Sequence, residues 1–209
     1  MEIHAPDHPP ATWRETAKHL AIITAGVLIA LALEGIVSWA DHRMLVREAA
    51  ANLTAELRNN KKELDGLFAS LDKEEAQLRH LDQLADELAK GPIAQGEAAL
   101  DIFGVELKNA AVTTGQITGA FGYMEYERVR HYADVYDLQA SYMRLQEREI
   151  QHLADVLSFV RHIGGSDRST AEALARWKSQ IDIALAGVFL RTELGRQLQK
   201  RYDEILAGR

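Results

Sequence analysis

LAIITAGVLIALALEGIVSWA, residues 20–40, is the one long apolar run in the sequence. As an α-helix it would be about 31 Å long, which matches the ~30 Å hydrocarbon core of a bilayer. Its Leu, Ile and Val side chains favour insertion by roughly 3 to 6 kcal/mol, whereas Glu34 opposes it by at most about 3 kcal/mol. The run therefore predicts a membrane-spanning helix. A secretory signal peptide and a buried core helix are the two alternatives.

One face of this helix collects small residues and the acid of the span. Gly26, Ala30, Glu34 and Ser38 are spaced by four, so they share a face. Small residues at this spacing let a second helix approach closely, and a carboxyl on the same face would meet protein rather than lipid. The pattern predicts a helix–helix contact in the membrane. There are two other interpretations. In the first, the Glu34 side chain extends to the membrane interface and the small residues are ordinary membrane residues. In the second, Glu34 belongs to a proton path.

The sequence predicts three regions. Residues 1–12 are polar and interrupted by proline, which predicts a disordered tail. Residues 13–40 form the anchor, with Trp13 and Trp39 in its interfacial collars. Residues 41–209 form a helical stalk and bundle domain. The lysines and arginines that flank the span are nearly balanced and lean slightly toward a cytoplasmic C-terminal side.

The stalk carries a heptad pattern over residues 41–89, which predicts a coiled coil or a long bundle helix. The first stripe is Ala50, Leu57, Leu64, Leu71, Leu78 and Ala85. The second stripe is Val46, Leu53, Asn60, Leu67, Glu74, Leu81 and Leu88. The polar members, Asn60 and Glu74, are of the kind that fixes register or oligomeric state. The seam can pack on later helices of the same chain, which we favour, or on a second copy.

Further helices are predicted after Gly91-Pro92 ends the stalk. Residues 97–111 indicate a short helix, the glycine-rich residues 113–123 a turn or close helix packing, and residues 124–163 a long helix. Ser169 or Thr170 would cap a last helix that ends near Leu206. The predicted fold class is all-α: one N-terminal transmembrane helix continues into a long amphipathic stalk, followed by a helical hairpin or bundle.

The composition argues against several functions. The net charge of −7 disfavours nucleic-acid binding, and the absence of cysteine excludes disulfides and thiolate sites. Glu149 and His152 have the Glu-x-x-His spacing of di-iron bundles, but such sites need two copies. The glycine-rich residues 113–123 lack the lysine of a phosphate-binding loop. We therefore expect no metal, no cofactor and no catalytic residues, and the protein is not expected to be an enzyme.

A group of tyrosines is the candidate for a ligand pocket. Tyr123, Tyr126, Tyr132 and Tyr136 lie close together in the sequence with Arg128. They could line a binding pocket, or they could be core residues with their hydroxyls at the rim.

Two stretches resemble a known group of proteins. HLAIITAGVLIALALEGIVSWADHRMLVREAAANLTAELRNN (19–60) is similar to the opening of uncharacterised bacterial single-span membrane proteins, in which a Gly-Val-Leu-Ile-Ala run precedes Leu-Glu, Trp and Arg. NAAVTTGQITGAFGYMEYERVRHYADVYDLQ (109–139) resembles their middle section. The resemblance covers about a third of the chain. It implies an inner-membrane anchor and a helical domain on the periplasmic side, and it assigns no activity or site residue.

Together these features predict a membrane-anchored structural or interaction protein. It would be a non-catalytic subunit that associates through its span and stalk. Its partners would be the lipid bilayer and either a second copy or another membrane protein. The alternative is a sensory or ligand-binding helical bundle without an output domain of its own.

Overall fold

A computed structural model describes residues 13–91, 99–160 and 171–208. Within these ranges the backbone forms four α-helices and no β-strand, so the predicted all-α fold class is confirmed. The helices are α1 (Trp13–Lys90), α2 (Ala110–Ile117), α3 (Tyr126–Val160) and α4 (Ala171–Leu206). A short 3-10 helix, Ala120–Tyr123, separates α2 from α3.

α1 contains both the apolar run and the predicted stalk. The chain divides into two compact units, one that ends at Glu48 and one that begins at Ala49. In the first unit, the large apolar side chains of residues 20–40 are between 52 and 69% exposed. By its length and composition this run is able to cross a membrane, and none of it is buried within the described chain.

The heptad stripes of α1 form the core of the second unit. Every member of the stripe from Ala50 to Ala85 is buried. The buried members of the second stripe are Leu53, Asn60, Leu67, Glu74 and Leu81. Apart from Val46 and Ala50, the apolar members share one core with α3 and α4, so the seam packs on later helices of its own chain.

α3 runs along α1 in the same direction. The Tyr136 hydroxyl donates a hydrogen bond of 2.6 Å to Glu56 Oε1. Gln139, one turn further along α3, accepts a bond of 3.1 Å from Asn60 Nδ2, one turn further along α1. The contacts therefore occur in the same order along both helices, so α1 and α3 are parallel.

α4 runs in the opposite direction and ends beside the start of the second unit. Arg191 pairs with Glu74, whereas the earlier residue Lys178 pairs with the later residue Asp86. Near the α3–α4 connection, the rings of Trp177 and Phe159 stack with centroids 4.7 Å apart. α3 and α4 thus form the predicted helical hairpin, which packs against α1.

The predicted helix over residues 97–111 is wrong for residues 99–109, which contain no helix and run back along α1 as an extended segment. The Asp101 N–H donates to Gln77, and the Lys108 N–H donates to Asn60. Side chains from the helices bind the main chain of this segment in place of the bonds that a helix would make. These partners lie 24 and 48 positions away in the chain, so the composition of residues 97–111 could not predict them. The prediction of a helix was wrong for this reason.

A compact hairpin of residues 110–125 joins the extended segment to α3. Gly119 adopts a φ of +72°, which favours glycine at this turn. At Gly115 an added Cβ would lie 2.8 Å from the ring of Phe121, so only glycine fits. Ala120 is fully buried, and Phe121 and Met124 pack the hairpin against the hydrophobic core. The glycine-rich stretch therefore provides a turn and close packing, as predicted.

Several predictions fall outside the described residues. These are the tail at 1–12, the role of Pro92 and the cap at Ser169 or Thr170. The helix predicted to end near Leu206 does end there, and Lys90 is the last residue of α1, as expected from Gly91.

Candidate functional site

The predicted membrane contact face lies on α1 and is uncovered by the described chain. Gly26, Ala30, Glu34 and Ser38 are all exposed. A Cβ added at Gly26 would meet no atom of the described residues within 4 Å. The face is therefore available to lipid or to another helix, and the helix–helix contact stays a prediction.

The residues of the predicted ligand pocket divide into two groups. Tyr132 and Tyr136 are buried, whereas Tyr123 and Tyr126 are exposed. The guanidinium carbon of Arg128 lies 5.9 Å from the centre of the Tyr132 ring. Arg128 Nη2 is 3.5 Å from the Tyr132 hydroxyl, so these two residues form a local pair.

An open cleft contains part of this group. Arg128, His131 and Tyr132 line it from α3, Thr54 lines it from α1, and Ile205 lines it near the end of α4. Acidic residues at the start of α3 also line the cleft, so charges of both signs face its interior. Glu125 and Glu127 outnumber Arg128 among its charged residues, so the charge of the cleft does not favour an anionic ligand.

Two side-chain amides, those of Asn60 and Gln146, bind the main chain of the extended segment. The side-chain amide of Asn60 accepts the Lys108 N–H at 2.9 Å and donates to the Lys108 carbonyl at 2.7 Å. Gln146 makes the same pair of bonds with Val105, both at 2.9 Å. Each amide thus satisfies both main-chain groups of one residue, much as a neighbouring β-strand would.

Other helix side chains also bind the main chain of this segment. Glu74 Oε2 accepts the Phe103 N–H at 3.0 Å, and Arg191 Nη1 donates to the Phe103 carbonyl at 2.9 Å. Gln139 Nε2 donates to the Lys108 carbonyl at 2.9 Å. The segment is consequently part of the core, although it has no regular secondary structure of its own.

A buried polar cluster surrounds Arg191, and we define it as Glu74, Tyr142, Glu149 and Arg191. Arg191 and Glu74 are fully buried and form an ion pair. Gly187 and Gly195 lie one turn before and one turn after Arg191 on α4. The Glu149 carboxylate occupies the space beside Gly187, and the Tyr142 ring packs beside Gly195. Two glycines thus make room for the cluster.

Burial affects the pKa of two members of this cluster, Glu74 and Tyr142. It raises the pKa of Glu74 above its ordinary value, an effect that the Arg191 charge and the Phe103 N–H oppose. Burial also raises the pKa of Tyr142 to about 12. Within the described chain, Tyr142 Oη, Glu149 Oε2 and Arg191 Nε are buried without a hydrogen-bond partner. Buried water can satisfy such atoms.

Sequence reasoning missed these contacts, although a signal was present. Asn60 and Glu74 are two heptads apart on α1, and Gln139 and Gln146 are one heptad apart on α3. Polar residues at matching heptad positions on two helices indicate a shared polar partner between them. The sequence could not show that this partner is a third segment of the same chain.

The single Glu-x-x-His pair lies at the edge of the polar cluster. His152 Nδ1 is 3.8 Å from Glu149 Oε1, and His152 is partly exposed. Among the described residues, no group of three or more His, Asp or Glu side chains is placed to hold a metal ion.

Comparison of the chain with family models, with curated proteins and with solved structures finds no match.

Proposed function

We propose that this protein is a membrane-anchored interaction protein, a non-catalytic subunit that associates with a second copy or with another membrane protein. The observation that carries the proposal is the exposure of the apolar run at residues 20–40 in the described chain. An apolar surface of this length is unfavourable in water, and a lipid bilayer would remove it from water. On the family resemblance, the membrane is a bacterial inner membrane and the bundle lies in the periplasm.

The stalk limits how association can occur. Its apolar seam is buried against α3 and α4, so the seam is occupied within the chain. Association through the stalk would therefore use its outer, polar face. Within the exposed apolar run, the face of α1 that contains Gly26 and Glu34 has the small residues that would let a second helix approach closely.

Extraction tests the anchor. The full-length protein should remain in the membrane fraction after washing with alkaline carbonate, because residues 20–40 would lie within the hydrocarbon core. Release into the supernatant would refute the anchor.

Substitutions in the span test association. Gly26→Leu should disrupt it by steric bulk, and Glu34→Ala should weaken it, because an interhelical hydrogen bond is worth about 0.6 to 2 kcal/mol. Ala32→Leu is the matched control, since at about 100° per residue Ala32 lies about 160° around the helix from both Ala30 and Glu34. Cross-linking in membranes measures the effect. Equal association of all variants would remove the contact face from the proposal.

Reporter fusions test orientation. A periplasmic C-terminal domain should make a C-terminal alkaline-phosphatase fusion active. An inactive phosphatase fusion, combined with a fluorescent cytoplasmic reporter fusion, would reverse the assignment.

The alternative function is a ligand-binding sensory bundle. The cleft beside Arg128, His131 and Tyr132 favours it, because an exposed cation and an imidazole face an open space there. Purification of the intact protein from membranes distinguishes the two functions. Co-purified membrane proteins would support the subunit, and a bound small molecule that Arg128→Ala releases would support the sensor.

A further inference from the structure

The hairpin of residues 110–125 and the first residue of α3 present large apolar and aromatic side chains to the outside. Ile117 is 81% exposed, Tyr126 is 76% exposed and Tyr123 is 54% exposed. We propose that this surface, which we call the hairpin surface, rests on the lipid headgroups of the membrane that holds the anchor. The inference depends on the proposed membrane anchor and extends it from the span to the bundle.

The hairpin surface lies at the end of the bundle where the second unit begins. Tyr136 is bonded to Glu56, and α3 runs in the same direction as α1. Tyr126 is ten residues before Tyr136, so it lies about 15 Å closer to the Ala49 end of the bundle. The Ala111 N–H donates to Glu56 Oε2 at 2.9 Å, which fixes the start of the hairpin at the same end.

The chain itself keeps this end close to the bilayer. Eight residues, 41–48, separate the apolar run from Ala49. They extend about 13 Å as a helix, and at most about 32 Å if fully stretched. The headgroup layer reaches roughly 5 to 8 Å beyond the hydrocarbon core. The chain therefore confines Ala49 to within about 32 Å of the hydrocarbon core, a range that includes the headgroup layer.

The chemistry of the hairpin surface fits a headgroup layer. Tyrosine is enriched at membrane interfaces, because its ring is apolar and its hydroxyl remains hydrated. Residues 117–130 contain two acidic residues, Glu125 and Glu127, and two basic residues, Arg128 and Arg130. The local charge is balanced, so contact with zwitterionic lipid needs no attraction from anionic headgroups.

Another exposed aromatic residue provides a matched control. Phe189 on α4 is 64% exposed and lies two residues before Arg191, which pairs with Glu74. Glu74 is 25 residues beyond Ala49 on α1, a distance of about 37 Å along the helix. A general affinity of exposed apolar residues for lipid would affect Phe189 and the hairpin surface equally.

The test uses single cysteines, since the sequence contains no native cysteine. Ile117→Cys, Tyr126→Cys, Phe189→Cys and Leu28→Cys are introduced separately into the full-length protein. Each is labelled with an environment-sensitive fluorophore and reconstituted into phosphatidylcholine vesicles that contain lipids with a doxyl quencher near the headgroup. Circular dichroism confirms that each labelled protein retains the helical content of the parent.

The labels at 117 and 126 should lose emission to the shallow quencher and shift to the blue, whereas the label at 189 should do neither. Adding Ile117→Asp to Tyr126→Cys should reduce the quenching at 126, whereas adding Phe189→Asp should not. If the label at 28 is quenched by lipids with a deep doxyl group while 117 and 126 behave like 189, the anchor stands and the hairpin contact is refuted. A label at 28 that no lipid quencher reaches would refute both.

Discussion

The side-chain amide of Asn60 forms two hydrogen bonds with Lys108, one to its N–H at 2.9 Å and one to its carbonyl at 2.7 Å. The two residues are 48 positions apart in the chain, and Asn60 is almost fully buried. A polar heptad position in α1 therefore binds a segment of its own chain. This contact explains why a polar residue is tolerated in the middle of a leucine-rich seam.

Replacing Asn60 should destabilise the bundle. Asn60→Leu removes both bonds to Lys108 and leaves its partly buried N–H without this partner, which costs up to about 3 kcal/mol. The neighbouring Asn59 is exposed, so Asn59→Leu should change the free energy of unfolding by no more than about 0.5 kcal/mol. Chemical denaturation in mild detergent, followed by circular dichroism, measures both. Equal effects of the two substitutions would contradict the role given to Asn60.

The Arg191–Glu74 pair should be more sensitive. Arg191→Met leaves the buried Glu74 carboxylate and the Phe103 carbonyl without their cationic donor, and breaking a buried pair costs about 3 to 5 kcal/mol. Arg196→Met removes an exposed pair with Glu193, which is worth about 1 kcal/mol or less. The difference in the free energy of unfolding between these variants checks the prediction. A loss for Arg191→Met no larger than that for Arg196→Met would refute it.

The sequence was a good guide to the helices and a poor guide to the extended segment. Leu57, Leu64 and Leu71 repeat at the period of a buried helix face, and that period depends on local geometry alone. Phe103 and Val105 are bound by side chains 29 and 41 positions away, and no local pattern encodes such partners. The same limit applies to the tyrosines, because spacing on α3 did not reveal which of them face the core.

Two glycines should respond in opposite ways to alanine. A Cβ at Gly66 meets no atom within 4 Å, so Gly66→Ala should stabilise α1 by about 0.5 to 1 kcal/mol. At Gly187 a Cβ would occupy the place of the Glu149 carboxylate, and overpacking of this kind costs about 1 to 3 kcal/mol.

A second substitution separates this steric effect from helix propensity. Glu149→Ala removes the carboxylate, so Gly187→Ala should no longer be harmful when it is introduced into that variant. Denaturation of the single and double variants checks the prediction. An unchanged cost of Gly187→Ala in the Glu149→Ala background would show that Glu149 is not the obstacle.

Buried tyrosines should make the bundle sensitive to alkaline pH. Burial raises the pKa values of Tyr136, Tyr142 and Tyr202 above the ordinary value of 10, and that of Tyr142 reaches about 12. Above pH 10 the unfolded chain therefore loses protons that the folded chain keeps. The free energy of unfolding should fall between pH 10 and 12 by up to about 1.4 kcal/mol per pH unit for each tyrosine. Below pH 10 these groups should have no effect.

Tyr142→Phe isolates one of these contributions. The Tyr142 hydroxyl has no hydrogen-bond partner within the described chain, so its removal should leave stability at pH 7 unchanged or slightly increased. The same variant should reduce the alkaline loss by up to about 1.4 kcal/mol per pH unit, because it lacks the hydroxyl that titrates. Tyr126→Phe, at an exposed position, should leave both quantities unchanged. Denaturation curves at pH 7, 10 and 11.5 make the comparison, and an alkaline loss in Tyr142→Phe equal to that of the parent would contradict the assignment.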